Sequence, residues 1–174
     1  MAHADADVVR GGPAFAAPQT ELTVAPSAAP PPPVIWPSTW AGERAPRRAV
    51  LELHGSSTDG APLTFMVYAM TDTTWADGRE LTWDSGPYDA EQVRPTSVGT
   101  TLFPAGQLSV LGDAASARLD VTDALDVARG RTIGFLLIRE PQRAQDTADN
   151  GRRATVAGLA AAEAAVRPRL LLTD

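Results

Sequence analysis

Short runs of strand-forming residues, broken by Gly, Pro, Asp or Ser, recur along most of the chain. Residues 20–24, 47–53, 99–103, 117–121 and 169–173 have this form, and their length and boundaries predict strands. Residues 63–70 and 132–138 are nearly continuous apolar runs, the pattern of central strands covered on both faces. Many short strands separated by turn signals predict an all-β fold, an antiparallel β-sandwich.

Residues 122–128 break this pattern. Thr122 stands as a capping residue, Asp123 places an acid in the first turn, and Arg129 followed by Gly130 supplies the stop, so one short helix is expected here. The alanine-rich residues 158–166 are helical by propensity, although Pro168 limits their reach. Residues 25–34, rich in Pro and Ala, favour extended polyproline conformation. What precedes them is too short to be a domain. They therefore read as part of a surface loop at about 25–46, inserted in a single domain over residues 1–174.

Charge narrows the partners. At 174 residues, a net charge of −6 argues against a nucleic-acid or anionic-membrane binder, which would need a basic face, and leaves room for local basic sites. All fifteen positive side chains are arginine, whose planar fork suits bidentate contact with carboxylates or sulfates; a GC-rich genome explains the same bias more simply. The absence of cysteine excludes disulfides, thiolate chemistry and cysteine-ligated metals. No apolar run approaches the roughly 18 residues of a membrane span, and the N-terminus does not read as a signal peptide. An exported protein would therefore be represented here by a mature or excised piece.

Catalytic motifs are lacking. His3 lies near the terminus and His54 reads as a loop histidine after a strand, with no second histidine at metal-ligand spacing. There is no nucleophile elbow, phosphate-cradling loop or dinucleotide fingerprint. Asp5 and Asp7 are candidate oxygen ligands for a calcium ion at the sandwich edge, against the plainer reading of a solvated chain end. The oxygen-rich residues 146–151 offer a second such loop, without the ligand series of an EF-hand. For sugar recognition the chemistry wanted is an aromatic face beside polar forks. Trp36 and Trp40, in the Pro-rich segment, are candidate platforms; the alternative is that they fold back over the sandwich end. Arg139, Arg152 and Arg153 are candidate forks, each also readable as a solvated or internally paired arginine.

Seven pieces then fall in order along the chain. They are Ala-Asp-Ala-Asp-Val-Val-Arg-Gly-Gly from residue 4, Arg-Arg-Ala-Val-Leu-Glu-Leu from 47, Val-Tyr-Ala-Met-Thr-Asp-Thr-Thr-Trp from 67, and Leu-Thr-Trp-Asp-Ser-Gly-Pro from 81. Leu-Asp-Val-Thr-Asp from 119, Phe-Leu-Leu-Ile-Arg-Glu from 135 and Arg-Pro-Arg-Leu-Leu-Leu from 167 complete the series. Together they resemble the DNRLRE-type domain, a jelly-roll family of carbohydrate-binding modules appended to secreted bacterial polysaccharide lyases and other glycan-active enzymes. The resemblance implies a jelly-roll sandwich, export, structural calcium in many members, and binding of acidic polysaccharides in some. It departs at the N-terminal signature, which is one residue out of register. It departs again at the Pro-rich insertion, and at Ala161-Ala162-Glu163, where the family often carries Ser-Arg-Glu. It also makes residues 155–159 a strand in place of a helix, and it places Trp75 and Trp83 at positions that the family fills with tryptophan.

The expectation is a non-catalytic carbohydrate-binding module that holds a parent enzyme's catalytic domain near its polysaccharide, with Trp36, Trp40, Arg139, Arg152 and Arg153 as ligand residues. The alternative is a bracing sandwich within a secreted multidomain enzyme, with no sugar site. An enzyme in its own right has no motif to support it. Trp75 and Trp83 are expected in the core, with each indole N–H paired.

Overall fold

Alternation sorts the side chains of β4 (Arg48–Ser57) and β5 (Leu63–Met70) onto two faces, and the buried faces of both strands point into one core. The computed structural model describes residues 4–6, 21–24, 34–39, 46–58, 60–71, 88–89, 94–95, 98–99, 101–110, 115–128, 132–139, 153–158 and 160–173. One sheet runs β1 (Ala4–Ala6), β3 (Val34–Thr39), β10 (Thr132–Arg139), β5 and β8 (Leu102–Val110). The other is built around β4. β9 (Ala115–Asp120) lies along one edge, while β12 (Arg169–Thr173) and then β11 (Ala154–Ala157) share the opposite edge, with β2 (Glu21–Val24) beyond β11. β6 (Tyr88–Asp89) and β7 (Arg94–Pro95) form a small separate ladder. All these strand pairs are antiparallel, and the architecture is the expected all-β sandwich.

The core joins Leu51 and Leu53 of β4, Val156 of β11, Phe65 and Val67 of β5, and Ile133, Phe135 and Leu137 of β10. Each such fully buried apolar side chain contributes roughly 1.5–3 kcal/mol relative to exposure. Along β10 every residue from Ile133 to Ile138 is buried, so this strand is covered on both faces, as its unbroken apolar run predicts.

Two glycines mark places where an added side chain would collide, with backbone at one and with a side chain at the other. A Cβ on Gly55 would lie 2.5 Å from the Thr155 carbonyl oxygen, at the point where β11 takes over the edge of β4. Gly106 adopts a φ of +139°, next to a register shift in the β5–β8 ladder, and a Cβ there would lie 2.9 Å from Leu119 of β9.

The short helix α1 spans Thr122–Val127, as the sequence predicts, and buries Ala124 and Leu125 against the end of the core. Its cap differs from the expectation. Val121 holds the N-cap position with no side-chain cap, while Thr122 is already helical. The Thr122 hydroxyl instead donates to Asp120 Oδ1 at 2.6 Å and accepts from the Ala49 amide at 2.9 Å. It ties the helix start to β4.

Other expectations are corrected. Val34–Thr39, assigned above to an irregular loop, is a strand between β1 and β10. Its Pro37 cannot donate to the ladder, and the register shifts at this point: Ile133 faces Ser38, whereas Phe135 faces Ile35. β8 starts at Leu102 and runs well past the predicted 99–103. The strand that the resemblance places at 155–159 is β11 at Ala154–Ala157, and the described part of the alanine-rich residues 158–166 forms a single 3-10 turn at Ala164–Val166 in place of the helix that propensity favours. Arg167 Nε donates to the Ala161 carbonyl at 2.8 Å and holds this connection in place.

Candidate functional site

Arg48 and Asp120 stand at outward positions of neighbouring strands, and with Arg47, Thr122 and Asp123 they border an open groove of about 520 Å³. Pro104, Ala105, Val121 and Ala124 supply its apolar lining. The volume is within the usual range for small-molecule sites. Arg48 Nε lies 3.3 Å from Asp120 Oδ2. Hydrogen bonds from the Thr122 hydroxyl and amide, and then the Arg48 guanidinium, hold the Asp120 carboxyl below the usual carboxylate range. The groove thus sets two guanidinium forks and two carboxylates beside small apolar surfaces, a combination suited to ring hydroxyls above C–H faces.

A second cluster lies on the outer face of the same sheet. Glu52 is 1 % exposed although its strand neighbours Leu51 and Leu53 face the core. The cross-strand register puts Arg118 of β9 on one side of it and Arg169 of β12 on the other. Arg118 Nε donates to Glu52 Oε2 at 2.5 Å, and Arg169 Nη2 donates to Oε1. Burial by itself pushes the Glu52 carboxyl up; the two arginine hydrogen bonds and charges outweigh it and hold the group below its ordinary value.

Two residues further along β4, His54 is half-buried inside the strand, which replaces the loop position expected from sequence. Its Nδ1 is buried with no hydrogen-bond partner among the described residues. His54, Ser56, Thr155, Ala157, Glu21 and Val166 line a depression of about 180 Å³. The Ser56 and Thr155 hydroxyls meet across it at 3.3 Å.

The residues nominated from sequence are spread over both sheets. Trp36 lies in β3 opposite Ala4, and Asp5 lies in β1 opposite Ile35; only their backbone positions are described. Arg139 ends β10 opposite Phe65, beyond the Leu136–Val34 pair where β3 begins. Arg153 is exposed at the start of β11, where its carbonyl accepts from the Thr58 amide. Trp40, Arg152, Asp7, Trp75, Trp83, Arg129, Gly130 and residues 146–151 lie outside the described residues. Strands β10 and β5 stand between β3 and β8, so Trp36 and the groove are on different parts of the molecule. Among the described residues no group of three or more His, Asp or Glu is placed to hold a metal, and calcium stays with Asp5 and Asp7 as an expectation of the sequence.

Sequence reasoning missed Glu52, Arg118 and Arg169. Each sits in a predicted strand, and each stands at an outward position of the alternation. The available signal was an acid in one strand and a base in each of two others; only the pairing register reveals that they meet. A search of protein-family models finds no match for this chain, and a search of curated proteins finds none either.

Proposed function

We propose that this chain is a non-catalytic carbohydrate-binding module that holds a polysaccharide in the groove between β4, β8, β9 and α1. The observation that carries this reading is the groove's composition: Arg47, Arg48, Asp120 and Asp123 around Pro104, Ala105 and Ala124. The charges sum to zero, which suits hydroxyl recognition without a requirement for one ligand charge. The ordered sequence resemblance points the same way. A weak site suffices, because tethering to a catalytic domain of an exported enzyme raises the effective concentration at the polymer.

Affinity electrophoresis against neutral and acidic polysaccharides tests it. We expect retardation by at least one polymer, weakened about tenfold in an Arg47→Ala/Asp123→Ala variant whose melting temperature is unchanged, as loss of one or two polar contacts predicts. Trp36→Ala and Trp40→Ala serve as the competing location. No retardation by any polymer sinks the reading.

The bracing alternative has its own observation. Leu171 and Leu172 of β12 are 39 % and 44 % exposed and could meet a neighbouring domain. A chain that binds no polysaccharide and melts at a higher temperature when fused to its neighbour favours the brace.

A further inference from the structure

The groove shares Arg48 and Asp120 with the outer face of β4, on which polar rows follow one apolar pair, Val50 beside Leu171. Arg48, Val50, Glu52, His54 and Ser56 occupy the outward positions of β4, flanked by Asp120, Arg118 and Ser116 of β9 and by Arg169 and Leu171 of β12. At about 3.3 Å per residue, the eight steps from Arg48 to Ser56 cover about 26 Å. Arg48 and Asp120 belong to the groove, His54 and Ser56 to the depression, and the Arg118–Glu52–Arg169 row lies between them.

We infer that a polysaccharide held in the groove continues along this face, where Arg118 and Arg169 clamp an oxyanion that it carries, a carboxylate or a sulfate ester, with Glu52 as the positioning residue. The inference rests on the polysaccharide reading above and adds a site and a ligand group to it. Glu52 takes Nε–H from Arg118 and one Nη–H from Arg169, which fixes both guanidinium groups and leaves the other edge of each outside that contact. Their side chains are 64 % and 46 % exposed, so both arginines reach solvent.

Stability does not require a charged triad here. Removing a carboxylate from water is expensive, and an apolar group of similar volume serves a buried position at least as well. The row beside it shows that the face accepts apolar residues, since Val50 and Leu171 stand there. Two arginines around one glutamate carry a net positive charge, and at physiological ionic strength that charge acts over about 8 Å despite the acidic chain. Glu21, on the far side of the depression, is separated from Arg118 by β4 and β11. The anion therefore belongs over the arginine row, and hydroxyl groups belong over His54, Ser56 and Thr155.

The test compares a polyuronate, the same polymer carboxyl-reduced to its neutral form, and a sulfated neutral polysaccharide, by affinity electrophoresis at low and moderate salt. We expect the wild type to prefer at least one anionic polymer over the neutral form by about tenfold or more, the scale of a charge-assisted bidentate contact, and to lose that preference as salt rises. Which anionic polymer is preferred separates carboxylate from sulfate. Arg118→Gln/Arg169→Gln, shown by its melt to be folded, abolishes the preference and leaves retention by the neutral polymer unchanged. Arg118→Gln alone, at the more exposed arginine, carries the test if the double variant does not fold. A wild type without the preference, or a variant that keeps it, overturns the clamp and leaves the groove reading intact. A lowered melting temperature with the preference unchanged identifies a strand staple and also overturns it. Retention by no polymer removes both readings.

Discussion

β10 and β4 each sit in the middle of a sheet, and each buries at least one residue that simple alternation would leave in water. In β10 there are three such residues, Gly134, Leu136 and Ile138, none of them polar and all covered like the core side of the strand. In β4 it is Glu52, covered by the arginines of β9 and β12. The first sheet thus buries apolar residues on both sides of its central strand, whereas the second buries a charge beneath charged groups that are themselves half in solvent. A covered face like the first is built for packing. A face closed by two half-exposed guanidinium forks can be shared with a ligand.

The largest expected effect tests the first half of that contrast. Phe135→Ala removes a fully buried ring from the core side of β10 and should destabilise the chain by about 3–5 kcal/mol, read from the midpoint of chemical denaturation. A loss below 1 kcal/mol would show that β10 is not packed as described. Next comes the edge of β4. Gly55→Ala drives a methyl group into the Thr155 carbonyl, and overpacking of this kind costs about 1–3 kcal/mol. An unshifted midpoint would mean that β11 pairs loosely and that the second sheet yields even in its backbone.

The smallest effect concerns acid. Glu52 has a depressed pKa in the folded chain, so the unfolded chain binds the proton first as the pH drops. The stability it contributes is complete above the ordinary carboxyl value near 4.5 and is lost as pH falls through that value towards the folded one. Asp120 acts in the same direction. Melting temperature should therefore decline on the acid side, less steeply in Glu52→Gln, which keeps the shape and loses the titration. Parallel acid limbs in the two proteins would remove Glu52 from the account.

Leu63–Met70 and Thr132–Arg139 were legible because burial on one or both faces leaves its mark on the residues, while Arg169–Thr173 was legible from its strand-forming composition, since only Leu170 in it is half-buried. β3 was not, because Pro37 weakens the strand signal and its cost is absorbed by a register shift that sequence cannot display. α1 was placed correctly while its cap was not: Thr122 had a second partner, the Ala49 amide, more than seventy residues away. The groove was unreadable for the same reason. Arg47, Pro104 and Asp123 come from three separate segments, and nothing local links them. Trp36 and Trp40 attracted attention as large aromatic side chains among prolines, a compositional cue that carries no information on their neighbours.

The divided edge of β4 also bears on how the chain reaches its fold. The three partners of this strand, β9, β11 and β12, come from residues 115–120, 154–157 and 169–173, all far downstream. Closing such distant pairs costs loop entropy before any contact repays it, so folding in the milliseconds-to-seconds class is expected. During synthesis β4 emerges early and waits with both edges open, and one of them stays incomplete until residues 169–173 have left the ribosome.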